Sequence, residues 1–337
     1  MTIFGPLLLK DARVEQLAGT WANEATGNES IGYTQTGLTP TTQKAIFGFG
    51  RTASNVSITN LVSNTGVVGN DVTGVGTARN GLAAAGYGTG KAIFGYGTTG
   101  NNSDAVGMSM TNLVSNTGVV GNDVTGVGTA RQYLAAAGYG TDKAIFGFGG
   151  YPTPLSMTNL VSNTGVVSTN VTGVGTARWG VAAAGYGTDK AIFGYVYAAG
   201  AGNLSRTNLV SNTGVVGNDV TGVGTARREP SAAGYGLDKA IFGYGLPGGY
   251  PGTSMTNLVS NTGVVSTDVT GVGTPRLDVA AAGYGTDKAI FGFGSTNANV
   301  YVSMTNLVSN TGVVGTDVTG VGTARSVLAA AGFSFSR

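Results

Sequence analysis

The string Lys-Ala-Ile-Phe-Gly begins at Lys44, Lys91, Lys143, Lys190, Lys239 and Lys288, at steps of 47, 52, 47, 49 and 49 residues. Thr-Asn-Leu-Val-Ser-Asn-Thr-Gly recurs at Thr59, Thr111, Thr158, Thr207, Thr256 and Thr305. A third block, Val-Gly-Thr-Ala-Arg followed by an Ala-rich segment, also occurs six times, with Pro275 once in place of Ala. Such a repeat constrains the chain more than any local propensity, because every copy must adopt one supersecondary unit and bury its apolar face against its neighbours. The chain therefore divides into six units, residues 44–337, behind a leader, residues 1–43.

Each unit reads as short strands. Residues 82–88 and 91–97 are apolar segments separated by a two-residue link, a hairpin spacing. The strand at 59–63 meets Asn-Thr-Gly, a turn signal, and Val67-Val68 then opens a fourth strand. No stretch of the units sustains a 3.6-residue period, so the expectation is all-β, one four-stranded antiparallel blade per unit. The first Lys-Ala-Ile-Phe-Gly has no Ala-rich strand before it, and the last Ala-rich strand, Leu328 to Phe333, has no such string after it. These halves complete one another. The C-terminal strand is expected to join the first blade and close six blades into a ring, with alanines where room near the axis is least.

Composition then removes most chemistry. With 0 Cys and 0 His in 337 residues there is no disulfide, thiol nucleophile, imidazole base, zinc site or haem site. Glycine is abundant, 60 residues, but without a G-X-Y period, and 41% apolar residues with a net charge of +2 do not describe a disordered chain. Charge spread this evenly predicts no nucleic-acid patch, and no run approaches the length of a membrane span, so no membrane insertion is expected. The apolar stretch near the N-terminus is too short for a signal peptide, which implies a chain not exported by the usual secretory route.

The order Arg, two or three variable residues, LAAAGYG, DKAIFGYG, a variable loop and TNLVSNTGVV resembles the kelch motif of β-propellers, over about 290 residues from Lys44. Two positions depart from it: the glycine doublet is Gly48-Phe49-Gly50, and Val68 stands where the family has Trp. The copper radical oxidases built on kelch propellers need Cys and His ligands, which this chain lacks. Units of this type are also similar to those of structural proteins of tailed bacteriophages. That resemblance implies a virion component, in a tail, appendage or decoration, made in bacterial cytoplasm and binding a host surface.

Length varies in one place per unit. The loops at 51–58, 98–110, 150–157, 197–206, 246–255 and 295–304 hold 8, 13, 8, 10, 10 and 10 residues, and subtracting the first five from the five steps leaves 39 every time. The other variable site is the pair after each Arg: Asn80-Gly81, Gln132-Tyr133, Trp179-Gly180, Arg228-Glu229, Leu277-Asp278 and Ser326-Val327. In an up-and-down blade both segments emerge on one face, while the near-invariant turns emerge on the other. The variable segments carry Tyr133, Tyr151, Tyr197, Tyr250, Tyr301 and Trp179 but none of the 12 Phe. Tyr and Trp join apolar area to a polar tip and are favoured on recognition surfaces. These six aromatics, with Arg228 and Glu229, are the candidate binding residues for a saccharide or a protein; the competing reading is that the loops vary because nothing constrains them.

The repeated Arg79, Arg131, Arg178, Arg227, Arg276 and Arg325 either satisfy backbone carbonyls or pair with Asp71, Asp123, Asp219, Asp268 and Asp317, or else ring a central mouth and attract anions. Pairs such as Asp142-Lys143 are hairpin positions, and Asn-Asp-Val-Thr-Gly lacks the alternating carboxylates of a calcium loop, so no metal or cofactor is expected. No carboxylate couple stands out as acid and base; Arg228-Glu229 and Asp278 are the nearest to one. In the leader, Val14, Leu17, Ala18 and Trp21 stand at i, i+3, i+4 and i+7, a helical stripe suited to a docking arm or a cap.

These features point to a protein that binds and assembles and is not an enzyme. Its expected partners are virion or assembly proteins through residues 1–43 and a host-surface glycan or protein through the variable face, with room for a homo-oligomer. The alternatives are a polysaccharide lyase or hydrolase working at the central mouth, and a bacterial surface adhesin.

Overall fold

The computed structural model describes residues 43–100, 106–297 and 300–333. Val14, Leu17 and Trp21, proposed for the leader, lie outside the described residues. The described chain is all-β. Its strands form six three-stranded antiparallel sheets and one two-stranded hairpin, an arrangement compatible with a β-propeller.

Each three-stranded sheet has a Lys-Ala-Ile-Phe-Gly strand in the middle, an Ala-rich strand on one side and a Thr-Asn-Leu-Val strand on the other, as in Ala83–Tyr87, Lys91–Gly95 and Thr111–Val114. The first sheet takes its Ala-rich strand from the far end of the chain. Ala329–Phe333 pairs with Lys44–Gly48 in a register running from Lys44↔Phe333 to Gly48↔Ala329. Successive Ala-rich strands lie side by side in chain order, and Ala329–Phe333 lies beside both Ala83–Tyr87 and Ala280–Tyr284.

The middle strands are apolar throughout because both faces are covered. Ile46 packs with Phe49, Leu82 and Phe94, whereas Phe47, one position on, packs with Ala282, Ile290 and Phe293 of another sheet. The cores thus lie between sheets, and each buried Phe contributes about 1.5–3 kcal/mol. Glycine ends the middle strand for a steric reason. A Cβ on Gly48 would stand 2.7 Å from Phe94 Cζ, and one on Gly292 would stand 2.7 Å from Phe47 Cζ. The ring of one sheet is seated on the glycine of the next.

Two expectations are corrected. The fourth strand does not form: the segment after Gly66 makes only isolated bridges, Val62↔Val68 and Thr59↔Val72. Gly69 N donates to Leu61 O and Val72 N to Thr59 O, so partners two positions apart on the strand are three apart on the returning segment. The extra residue breaks the ladder. Asn60 Nδ2 fills the gap, donating to Gly69 O at 3.0 Å and Asp71 Oδ1 at 2.9 Å. The hairpin link is three residues, since Tyr139 pairs with Lys143 and Gly140 and Thr141 both take positive φ, 58° and 69°.

The repeated arginines are buried framework, which excludes an exposed anion-attracting ring. Arg79 donates through Nε to Tyr96 O at 2.8 Å, Nη1 to Thr77 O at 3.1 Å and Nη2 to Asn112 Oδ1 at 2.7 Å. Its guanidinium lies 4.3 Å from the Phe49 ring centre and 3.8 Å from Asp123. Burial lowers its pKa to about 10, with Asp123 opposing, so it remains a cation at neutral pH.

Candidate functional site

Strand register decides which segments share a face. Gly48 is opposite both Ala329 and Thr59, so the loop after each middle strand and the approach to each Ala-rich strand leave at one end of a sheet. The invariant hairpins leave at the other. There Gln43, which the repeat pattern did not single out, takes the place held elsewhere by Asp142, Asp189, Asp238 and Asp287. Its carbonyl accepts from Gly285 N at 2.9 Å and its Oε1 from Thr286 N at 3.1 Å. Aligning the residue before each Lys would have found it.

On the variable face, the second residue of each post-Arg pair has a left-handed backbone: Gly81, Tyr133, Gly180, Glu229, Asp278 and Val327 have φ between 53° and 65°. This conformation costs a β-branched or bulky residue energy and persists only where the surroundings enforce it. Here neighbours enforce it. Val327 N donates to Asp278 O at 3.3 Å, Gly81 N to Val327 O at 3.1 Å, Tyr133 N to Gly81 O at 2.8 Å, Gly180 N to Tyr133 O at 2.9 Å and Glu229 N to Gly180 O at 2.9 Å. One run of backbone hydrogen bonds thus threads all six units, with the two acidic residues at its ends.

The run borders a cavity of about 80 Å³ whose lining includes Tyr133, Gly180, Glu229 and Asp278. Burial raises the Asp278 carboxyl well above its ordinary value and the Glu229 charge raises it further, while Arg228 and Arg51 pull the other way. Burial likewise raises Glu229, opposed by Arg228, whose Nε lies 3.7 Å from Glu229 Oε1. The repeat alignment puts these carboxyls, 49 positions apart in sequence, at the same post-Arg position of successive units, but it does not show that they share one buried cavity. Arg51 was also missed; its one signal is being a charged residue at the first position of its loop.

Beside the cavity the aromatic candidates converge. Trp179 has its ring centre 4.9 Å from Tyr197, 5.3 Å from Tyr151 and 5.6 Å from Tyr133, and Tyr133 is 6.2 Å from Tyr151. Trp179 and Tyr197 are locked by reciprocal backbone hydrogen bonds of 3.2 and 3.0 Å. The Tyr197 strand belongs to the longest hairpin among the described residues, Lys190–Ala198 against Gly202–Val210, which carries the sheet beyond its usual end. The Arg228 guanidinium lies 5.9 Å from the Tyr197 ring centre. Tyr250 and Tyr301 stand apart from this cluster. Burial raises the Tyr250 hydroxyl, and the charges of Asp278 and Glu229 raise it further, with Arg228 opposing.

No family model matches the chain. No curated protein matches it either. The chemistry of the site must therefore be argued from its own residues, which offer an aromatic platform, two carboxyls and two guanidinium groups on one face.

Proposed function

We propose that the six sheets close radially into a six-bladed β-propeller, and that this propeller is a recognition module, not an enzyme. It presents its variable face to a ligand on a cell surface, while residues 1–43 attach it to a larger assembly. Support for closure comes from the pairing of Ala329–Phe333 with Lys44–Gly48 and from the seating of Phe47 against Gly292, which repeats between the last and first units the contact made between Phe94 and Gly48.

The observation that carries the recognition reading is the contiguous cluster of Tyr133, Tyr151, Trp179 and Tyr197. All four come from segments that vary between otherwise repeated units, all are only partly buried, and drift alone does not bring unrelated loop residues into one platform. Gln43 supports the polarity of the module, since it lies among the invariant hairpins, on the face opposite the platform. The resemblance of the units to phage structural proteins makes a virion the proposed assembly and a bacterial host the proposed target.

Labelled protein is expected to bind host cells, and a variant carrying Tyr151→Ala, Trp179→Ala and Tyr250→Ala should lose binding by at least about tenfold while melting as the parent does. Unchanged binding would overturn the reading. The Glu229 and Asp278 pair favours a second reading, a polysaccharide hydrolase or lyase, because a carboxyl raised by burial beside another acid is the arrangement of general-acid chemistry. Turnover of a glycan panel that is lost in Glu229→Gln would establish it.

A further inference from the structure

We infer that the ligand of the variable face is a neutral saccharide, a pyranose stacked on Trp179 with its hydroxyl-bearing edge turned toward Glu229, Asp278 and Arg228. The inference rests on the recognition reading and names its ligand class.

The platform and the polar groups must be satisfied by the same molecule. Trp179 is flanked by Tyr197 at an interplanar angle of 39° and by Tyr151 at 83°, so its ring is held in place before any ligand arrives. A rigid, partly exposed aromatic plane selects a ligand with a flat apolar face. Within one residue of that plane the surface gains acidic groups: Gly180 follows Trp179 and lines the same cavity as Glu229 and Asp278, which are set among Leu134, Val181 and Val279. Arg228 bridges the two regions, 5.9 Å from the Tyr197 ring centre and 3.7 Å from Glu229. Carboxylates accept, a guanidinium donates, and a protonated carboxyl does both. The matching ligand has an apolar face and an edge of groups that each donate and accept, which is a pyranose with its C–H face and its hydroxyls.

Charge and size narrow the class. Two carboxyls offset the two guanidinium groups of Arg228 and Arg51, so the described residues offer a uronic or sialic acid no excess positive charge and offer single-stranded nucleic acid no positive groove. The cavity, about 80 Å³, has room for an exocyclic hydroxymethyl arm or a bridging water but not for a sugar ring, so the ring must remain on the aromatic plane.

The test is an array of neutral, acidic and amino-bearing oligosaccharides followed by calorimetric titration of the full chain. Neutral oligosaccharides should bind; Trp179→Ala should weaken them at least about tenfold, Trp179→Phe by less than about threefold, and Asp278→Asn at least about fivefold. Absence of neutral-glycan binding, preference for acidic glycans, or Trp179→Ala binding like the parent would each overturn the inference. A parallel assay uses host cells treated with periodate, which cleaves vicinal diols. If the parent protein binds treated and untreated cells equally, recognition stands and the saccharide falls. If it binds neutral glycans but no cells, the saccharide stands and the host-surface reading falls.

Discussion

Arg325 Nη2 donates to Asn60 Oδ1 at 2.7 Å, joining residues 265 positions apart. Its Nε donates to Phe49 O at 2.8 Å, and Thr323 Oγ1 to Asp71 Oδ2 at 2.6 Å. Arg79, Asn112, Thr77 and Asp123 make the same contacts inside the chain. The end of the chain therefore holds the first sheet with the chemistry that Arg79 and Thr77 bring to the second.

Breaking a buried charge-assisted bond leaves its partner unsatisfied and costs about 3–5 kcal/mol, so Arg325→Ala and Arg227→Ala should be similarly destabilised in urea titrations. Truncation after Gly322 should do more, because it also strips Ala329–Phe333 and exposes Lys44–Gly48 as an edge. Light scattering should then show association and melting should lose its single cooperative step. A truncated chain that stays monomeric and melts normally would refute radial closure.

Gly147 carries the tightest of the glycine and phenylalanine contacts: a Cβ there would stand 2.6 Å from Phe193 Cζ, and Phe193 is fully buried. Gly147→Ala should cost about 1–3 kcal/mol by overpacking. Phe193→Leu, which leaves space, should relieve part of that cost, so the double variant should be less destabilised than the two singles added together. Strict additivity would mean that the ring is not what excludes the methyl group.

The strands that carry packing were legible because their residues repeat: Ile and Phe at fixed spacing, with Gly where a ring must fit, leave one way to pair. The fourth strand was misread because Val67-Val68 has strand composition, while the slip between Gly69 and Val72 depends on the Asn60 side chain, which periodicity does not register. The aromatic candidates were legible as exceptions to the repeat. Glu229 and Asp278 were legible as the nearest thing to a carboxylate couple but not as a buried one, since the cavity they share depends on a run of backbone hydrogen bonds through Gly180, Tyr133, Gly81 and Val327.

Asn170 stands where the other units carry Asp, so Arg131 lacks the carboxylate that Arg79 has in Asp123. Asn170 Oδ1 accepts from Thr129 N at 3.0 Å, and its Nδ2 donates to Thr129 Oγ1 at 2.7 Å. Asn170→Asp reverses the second bond and adds a charge beside a buried guanidinium. With the site part-exposed, the gain should be about 0.5–1 kcal/mol at neutral pH. Burial raises Asp123, but hydrogen bonds from Thr77 and Asn112 and the charge of Arg79 outweigh it and hold it below its ordinary value. Asp219 is held at about 2 in the same way. A depressed carboxyl stabilises the fold above its unfolded pKa, about 4, and the benefit disappears as pH falls through the folded value. The advantage of Asn170→Asp in thermal melts should therefore be present at pH 7 and vanish toward pH 2.

Asp278 carries the opposite sign. Burial and the neighbouring Glu229 raise its carboxyl, so the folded chain holds its proton more tightly than the unfolded chain does. Below a pH of about 4 the group is protonated in both states and contributes nothing to the difference; as pH rises, ionisation increasingly favours unfolding. Asp278→Asn keeps the neutral form, so it should melt above the parent at pH 7, by a margin that shrinks as pH falls and closes near pH 4. The same variant should lose saccharide affinity, because the carboxyl it removes lines the ligand cavity. Stabilisation coupled to loss of binding is what a group retained for function against the interest of the fold should give. A Asp278→Asn protein less stable than the parent at pH 7 would instead make Asp278 a structural partner of Arg51 and Arg228, and its place in the cavity incidental.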